Sequence, residues 1–336
     1  MSKSRIDAID AHVAGQVVRL ITNGLPPIQG TTLGEQQEWA SHPRRGIREA
    51  LLHEPRGHRD LLGALLTPPS SETAQAGVLF MHHDGWPAIS LHGLMAVATI
   101  ALERGLITLP DDATTLTFDT VRGPVSLRVE RTRTRVRRVA VRGLPSFVLF
   151  PAAHIRLQGR LPTRVLKVDI AYGGEFFAII DGEAAGVPLV RDRMADLRLL
   201  TKQIAVAAAQ QHAIVHPQDA KIAGLAGVIY TGPARSDTSD LRGVVVYVNG
   251  GVDRSPGGEA MAAVMSVVDA MLPLSEDRPF RQEGPIGTRF RGRVLERLLV
   301  ESFPAIVPGI EGRAWIIAEH TFIARRDDPL ATGFSF

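Results

Sequence analysis

Cysteine is absent from the whole chain. That excludes disulfides, cysteine-zinc sites and any thiol acting as nucleophile or base. An excess of one charge is also missing. A net charge of +3 over 336 residues does not by itself argue for a nucleic-acid partner. No apolar run reaches transmembrane length, and the N-terminal "MSKSRIDAIDAHVAG" holds no apolar stretch of signal-peptide length. A cytoplasmic protein without membrane contact is the expectation. What remains is a globular composition, 45% hydrophobic and 22% charged, long enough for two domains or one large one. The densest basic run, "RVERTRTRVRRVAVR" at 128–142, interleaves arginine with valine and threonine. It reads as an exposed strand face, with a polyanion-binding strip as the functional alternative.

Segments rich in β-branched and aromatic residues, bounded by Gly, Pro or Asp, read as strands at 17–22, 76–82, 115–121, 125–130, 164–172, 176–180, 243–250 and 313–324. Two segments differ. "SLHGLMAVATIAL" at 90–102 and "GGEAMAAVMSVVDAM" at 257–271 are apolar on nearly every face, the pattern of a helix buried all round. A third helix, 197–214, is more amphipathic. The chain therefore reads as two halves of similar plan, each with many strands and one central helix, joined near 145–162. An α+β fold of two lobes follows, each wrapping strands round a helix. The expected division is 1–155, 156–310 and a tail at 311–336, with a return of that tail to the first lobe as one option.

Each central helix opens at a glycine-containing loop. The first turn of a helix leaves backbone N–H groups without partners, and the macrodipole adds partial positive charge there. Such an end takes a carboxylate or phosphate readily. In "DRSPGGEA", 253–260, Ser255 suits the N-cap and Pro256 the first helical position. Gly257 and Gly258 leave the backbone open to a ligand. The same residues also fit a well-capped helix with glycines for packing.

At these stretches the chain resembles the family of proline racemases, hydroxyproline epimerases and trans-3-hydroxyproline dehydratases. The family has "DRSPCGTG" where this chain has "DRSPGGEA", and "MCGHG" where it has "ISLHG" at 89–93. Further matches are "DAHVAGQVVR" (10–19), "HEPRGHRDLLGALLTPP" (53–69), "GVLFMHHDGW" (77–86), "YGGEFFAIID" (172–181), "VIYTGP" (228–233), "GPIGTRFRGRV" (284–294) and "EGRAWIIAEHTF" (311–322). "EPRGH" and "IGTRF" sit nearest the dehydratase branch. The resemblance implies two pseudo-symmetric lobes of the diaminopimelate epimerase kind, with the active site in the cleft at the two helix starts. It further implies chemistry without cofactor or metal, a small amino or imino acid as ligand, and a homodimer.

The family removes the weakly acidic Cα hydrogen of proline with two cysteines, one on each face, and the dehydratase branch keeps the first of them. Here Ser90 stands at the first position and Gly257 at the second. Glycine can neither give nor take a proton, so a two-base racemase working through these positions is excluded. Serine needs an adjacent base, for which His92 is the candidate; its backbone amide is the alternative contribution. By resemblance the amides of Leu91, His92, Gly258 and Glu259, beside Gly93, hold the substrate carboxylate. Glu259 reads either as a capping or solvated carboxylate or as a replacement base.

Asp253, by resemblance, accepts a hydrogen bond from the substrate's ring nitrogen; a turn aspartate is its structural alternative. Tyr247 and Leu62 match ring-lining positions. His58 and Asp60 match a stretch near the pocket and fit a structural role equally. His82 and His83 are candidate proton carriers. The family's Gly-Gly-Glu-Pro is Ala14-Gly15-Gln16-Val17 here, and no cluster has metal-binding spacing. Two readings follow: one-base, dehydratase-like chemistry at Cα of a proline derivative, or a binding protein of the same fold that has lost catalysis. Epimerisation or racemisation through replacement bases is a further alternative.

Overall fold

Residues of alternating polarity build most of the structure. In "GPVSLRVER" the residues Val125, Leu127 and Val129 are buried while Pro124, Ser126, Arg128 and Glu130 are exposed, the period of two that a half-buried strand requires. The computed structural model describes residues 4–157, 164–325 and 327–335. It divides into two compact units, Met1–Val141 with Gly312–Phe336, and Arg142–Glu311.

In chain order the elements begin with β1 (Ser4–Val13), β2 (Gln16–Asn23), α1 (Leu33–Ser41), α2 (Ile47–Leu52), β3 (Leu62–Thr67) and β4 (Ala76–Met81). Next come α3 (Leu91–Glu103), β5 (Thr115–Thr120), β6 (Gly123–Arg131), β7 (Val136–Arg142), β8 (Ser146–Leu157), β9 (Arg164–Tyr172) and β10 (Phe176–Asp181). After these lie α4 (Met194–Gln211), β11 (Val215–His216), β12 (Asp219–Ala223), β13 (Gly227–Gly232) and β14 (Leu241–Tyr247). The chain ends with α5 (Gly258–Met271), β15 (Phe280–Glu283), β16 (Arg289–Val300), β17 (Phe303–Gly312) and β18 (Ala314–Ala324).

In the first unit the strand order is β7-β6-β5-β4-β3-β2-β1-β18. In the second it is β16-β15-β14-β13-β10-β9-β8-β17, and β16 also pairs with β17, so that this sheet closes on itself. The pairing senses repeat. β2–β3 and β4–β5 are parallel in the first unit, as are β10–β13 and β14–β15 in the second. Their neighbours pair antiparallel. A parallel pair needs a crossover, and helices supply it at all four places: α1 and α2, then α3; α4, then α5.

The second crossover of each unit is its central helix. Residues 91–101 of α3 and 258–267 of α5 are all buried. α3 packs on β1, β2, β3 and β18, and α5 on β8, β9, β10 and β16. Each central helix thus lies against strands from several positions of its own sheet. α4 is different: Leu197, Leu200, Thr201, Ile204, Ala207 and Ala208 form one buried stripe against the sheet.

Several local expectations change. The stretch read as a joining segment is largely β8, antiparallel to β9; its residues 158–162 lie outside the described residues. The basic run 128–142 is a hairpin of β6 and β7 rather than one strand, because 132–135 form a turn closed by Thr132 and Arg135. The third helix stops at Gln211, where His212 turns extended (φ −138, ψ 137). The strand expected at 243–250 ends at Tyr247, where Gly250, at φ 87, bonds back to Tyr247 in a tight turn. β18 pairs with β1 along its length, from Ser4↔Ala324 to Val13↔Ala314.

Candidate functional site

In the first unit the site residues gather at the start of α3. Ser90 is the N-cap, in extended conformation (φ −149, ψ 111), and its Oγ accepts the Gly93 N–H at 3.2 Å. His92 Nε2 lies 3.5 Å from the same Oγ, the outer limit of a hydrogen bond. Ser90, Leu91 and His92 are buried. Gly93 is demanded by packing: a Cβ there would stand 2.5 Å from Phe80 Cε1 and 2.9 Å from Ser90 Oγ. The helix start is therefore pressed directly on β4.

Two other groups of candidate residues lie in the same unit. The Asp60 N–H donates to His58 Nδ1 at 3.3 Å, and the Gln16 side chain donates to the Asp60 carbonyl. The altered 14–17 turn and the 58–60 turn are thus brought together just ahead of buried Leu62. His82 and His83 belong to a turn closed by paired bonds between His82 and Gly85. His83 stacks on His53 with centroids 4.2 Å apart, and its Nδ1 lies 2.7 Å from Asp84 Oδ1. Burial lowers the pKa of His82, Asp84 opposing the shift, and its Nδ1 accepts the Asp84 N–H at 3.1 Å.

In the second unit the loop before α5 is built on Asp253, which is 2% exposed. Its Oδ1 accepts both the N–H (2.8 Å) and the hydroxyl (2.7 Å) of Ser255. Ser255 Oγ in turn accepts the Gly257 N–H at 3.1 Å. The expected cap is therefore displaced: Gly257 is the N-cap and α5 begins at Gly258. Asp253 holds Ser255 in a local turn, which competes with capping. Gly257 then completes the turn at φ 75, ψ 124, a region that favours glycine. Gln282 donates to the Pro256 carbonyl at 3.2 Å, and a Cβ on Gly284 would meet Pro256 N at 2.9 Å. The loop is clamped from the side of β15.

Tyr247 and Glu259 complete this end. The Tyr247 hydroxyl donates to Asp253 Oδ2 at 3.5 Å. Burial pushes its pKa well above the ordinary value, and Asp253, Glu259 and Glu175 push it further in the same direction. It is a proton-holding donor across the working range. Glu259, 6% exposed, sits in the first turn of α5. Sequence reasoning missed Glu175. It follows Gly173 in the quoted "YGGEFFAIID", and a Cβ on Gly173 would stand 2.1 Å from the Glu259 carbonyl and 2.5 Å from Ala263 N. The two glycines there let this turn lie on α5, which carries Glu175 to the Tyr247 environment. The arrangement offers carboxylate acceptors and one phenol donor, a setting suited to a cationic nitrogen or to proton abstraction.

The family description "Proline racemase" matches residues 8–335. A trans-3-hydroxy-L-proline dehydratase of Bacillus cereus is 32% identical over 97% of this chain and 96% of its own. A 4-hydroxyproline 2-epimerase of Streptosporangium roseum is 34% identical over 99% of each chain. A proline racemase of Acetoanaerobium sticklandii is 31% identical over 98% of each. Among solved structures, a hydroxyproline epimerase from Agrobacterium vitis with bound trans-4-hydroxy-L-proline superposes with a TM-score of 0.87 at 26% identity, covering 99% of this chain and 96% of its own. The chain belongs to the proline racemase family.

Proposed function

We propose that the protein binds proline or a hydroxyproline and abstracts the Cα proton from one face only, without a cofactor, so that the outcome is dehydration of a 3-hydroxyproline rather than inversion. The observation that carries this reading is Gly257, the second catalytic position of the family pattern. It has no side chain, and its backbone lies at φ 75 with a virtual Cβ 2.9 Å from Ala260 Cβ. No acid or base acts from there. Asp253 accepts a hydrogen bond from the ring nitrogen, as the acidic surroundings of Tyr247 favour. Glu259 is the base, since it is buried, opens α5 and acts on the same phenol as Asp253. In the step itself, Glu259 takes the Cα proton, the Cα–H electron pair forms the Cα=Cβ bond as the Cβ–O bond breaks, and the departing hydroxide takes that proton from the Glu259 carboxyl and leaves as water, which restores the carboxylate.

A second reading, binding without catalysis, is favoured by Ser90. Its hydroxyl oxygen is already engaged as a helix cap for Gly93, a role that needs no chemistry. Incubation in deuterated water with proline, 4-hydroxyproline and 3-hydroxyproline isomers, followed at Cα by NMR, separates the two. Exchange without inversion, or consumption of a 3-hydroxyproline, supports the one-base enzyme. Binding with no exchange in any of them supports the second reading. Glu259→Gln should then abolish exchange, while Ser90→Ala should leave it measurable; the reverse pattern would move the base to Ser90 and His92. The homodimer and the cytoplasmic setting that the family suggests belong to this same proposal. Among the described residues no helix is long and apolar enough to cross a membrane.

A further inference from the structure

β14 presents two faces within the second unit. Val245 turns toward the start of α5, its Cγ2 3.2 Å from a virtual Cβ on Gly257. Val244, the preceding residue, packs among the buried residues of α4. On that α4 side lies a cavity of about 650 Å³, within the range of small-molecule sites. Arg191, Arg198, Arg242 and Arg254 line it, over an apolar wall that includes Met194 and Val244.

The charges of Arg191, Arg198 and Arg242 in this recess are poorly neutralised. Arg242 is 8% exposed, yet its Nη2 donates to a carbonyl, that of Leu189 at 2.8 Å, and its buried Nε has no partner. Arg198 Nε likewise donates to the Gly250 carbonyl at 2.8 Å, and Arg254 Nη1 to that of Val252 at 2.6 Å. Among the described residues no carboxylate oxygen lies within 4.0 Å of Arg191, Arg198 or Arg242. Burial and the nearby Arg235 lower the pKa of Arg242, with Glu283 opposing. Buried charges are ordinarily paired. Three arginines without a carboxylate in reach, lining one cavity beside Arg254, suit a guanidinium receptor for an oxyanion. The apolar wall asks for more than a bare ion.

We propose that this recess binds a small organic dianion, a phosphomonoester or dicarboxylate carried on an apolar body. Arg254 lies between Asp253 and Ser255, so the occupant meets the loop that sets the start of α5. The site is nonetheless separate from that start, being on the other face of β14.

Titration calorimetry on the full chain at low salt, with phenyl phosphate, phthalate and the neutral benzyl alcohol as probes, tests this. At least one dianion should bind about tenfold or more tightly than benzyl alcohol, and the better of the two identifies the head group. Arg191→Ala with Arg198→Gln should weaken that binding about tenfold or more. Arg191 is exposed, so Arg191→Ala alone carries the test if the double variant fails to fold, with a smaller loss expected. Three results would overturn the proposal. They are no heat from either dianion up to about 10 mM, an affinity unchanged in the arginine variants, or displacement of the probe by saturating proline, which would put it at the start of α5.

Discussion

Under the proposed function Gly257 is the residue that leaves one face of the substrate without an acid or base. A thiol cannot simply be returned there. The backbone at φ 75 costs a side-chain-bearing residue of order 1–2 kcal/mol, and a Cβ would lie 2.9 Å from Ala260 Cβ and 3.2 Å from Val245 Cγ2. Gly257→Cys should lower stability by about 1–3 kcal/mol in urea unfolding, and Gly257→Ala should lower it similarly, since the Cβ and not the sulfur meets the clash. A Gly257→Cys protein as stable as the parent would show that the loop relaxes, and the left-handed turn would cease to be the constraint. At this scale the sequence was partly legible. That no side chain can act as acid or base from position 257 was visible in one letter. The shifted cap was not, because it depends on Asp253 claiming Ser255 through both its N–H and its hydroxyl. Glu175 was invisible as a site residue for another reason: only the packing of Gly173 on α5 brings it near Tyr247.

At the scale of elements, the central helices were legible because a segment apolar on every face has few folds to go to. What holds their surroundings was not. β1, β2 and β18 meet at Asp10, whose two oxygens take Arg19 Nε and Nη2 at 2.9 Å each. Arg19 Nη1 also donates to the carbonyls of Leu51 and Arg56, and His320 Nε2 lies 3.0 Å from Asp10 Oδ2. Both partners of the ion pair are 8% exposed. Removing one charge strands the other in the interior, which typically costs about 3–5 kcal/mol. Asp10→Asn should therefore destabilise by about that much in urea unfolding, well beyond the effect of a surface ion pair such as Arg325–Asp327. A loss under about 1 kcal/mol would mean that solvent reaches Arg19 and that the cluster is not a structural joint. Nothing in "DAHVAGQVVR" announces this pairing. It follows from the hairpin register that sets Asp10 opposite Arg19.

For the molecule as a whole, the repeated order of parallel and antiparallel pairs gives the two units one plan, but the chain serves them unequally. Arg142–Glu311 is continuous, holds every strand of its own closed ring, and has its own core around Phe147, Ile170, Phe176, Ile204 and Tyr230. The first unit must wait for β18, which comes after the entire second unit. β18 pairs with the full length of β1, contributes His320 to Asp10, and packs on α3. A fragment spanning 142–311 should therefore unfold cooperatively on its own, as circular dichroism in urea would read. A fragment spanning 1–141 should stay unfolded or aggregate, for β1 would be left with a long unpaired edge. Adding a peptide of residues 312–336 should restore its structure, at a concentration-dependent midpoint because the strand is then supplied as a ligand. Cooperative folding of 1–141 alone would show that β18 is an addition to a complete unit and not a part of it.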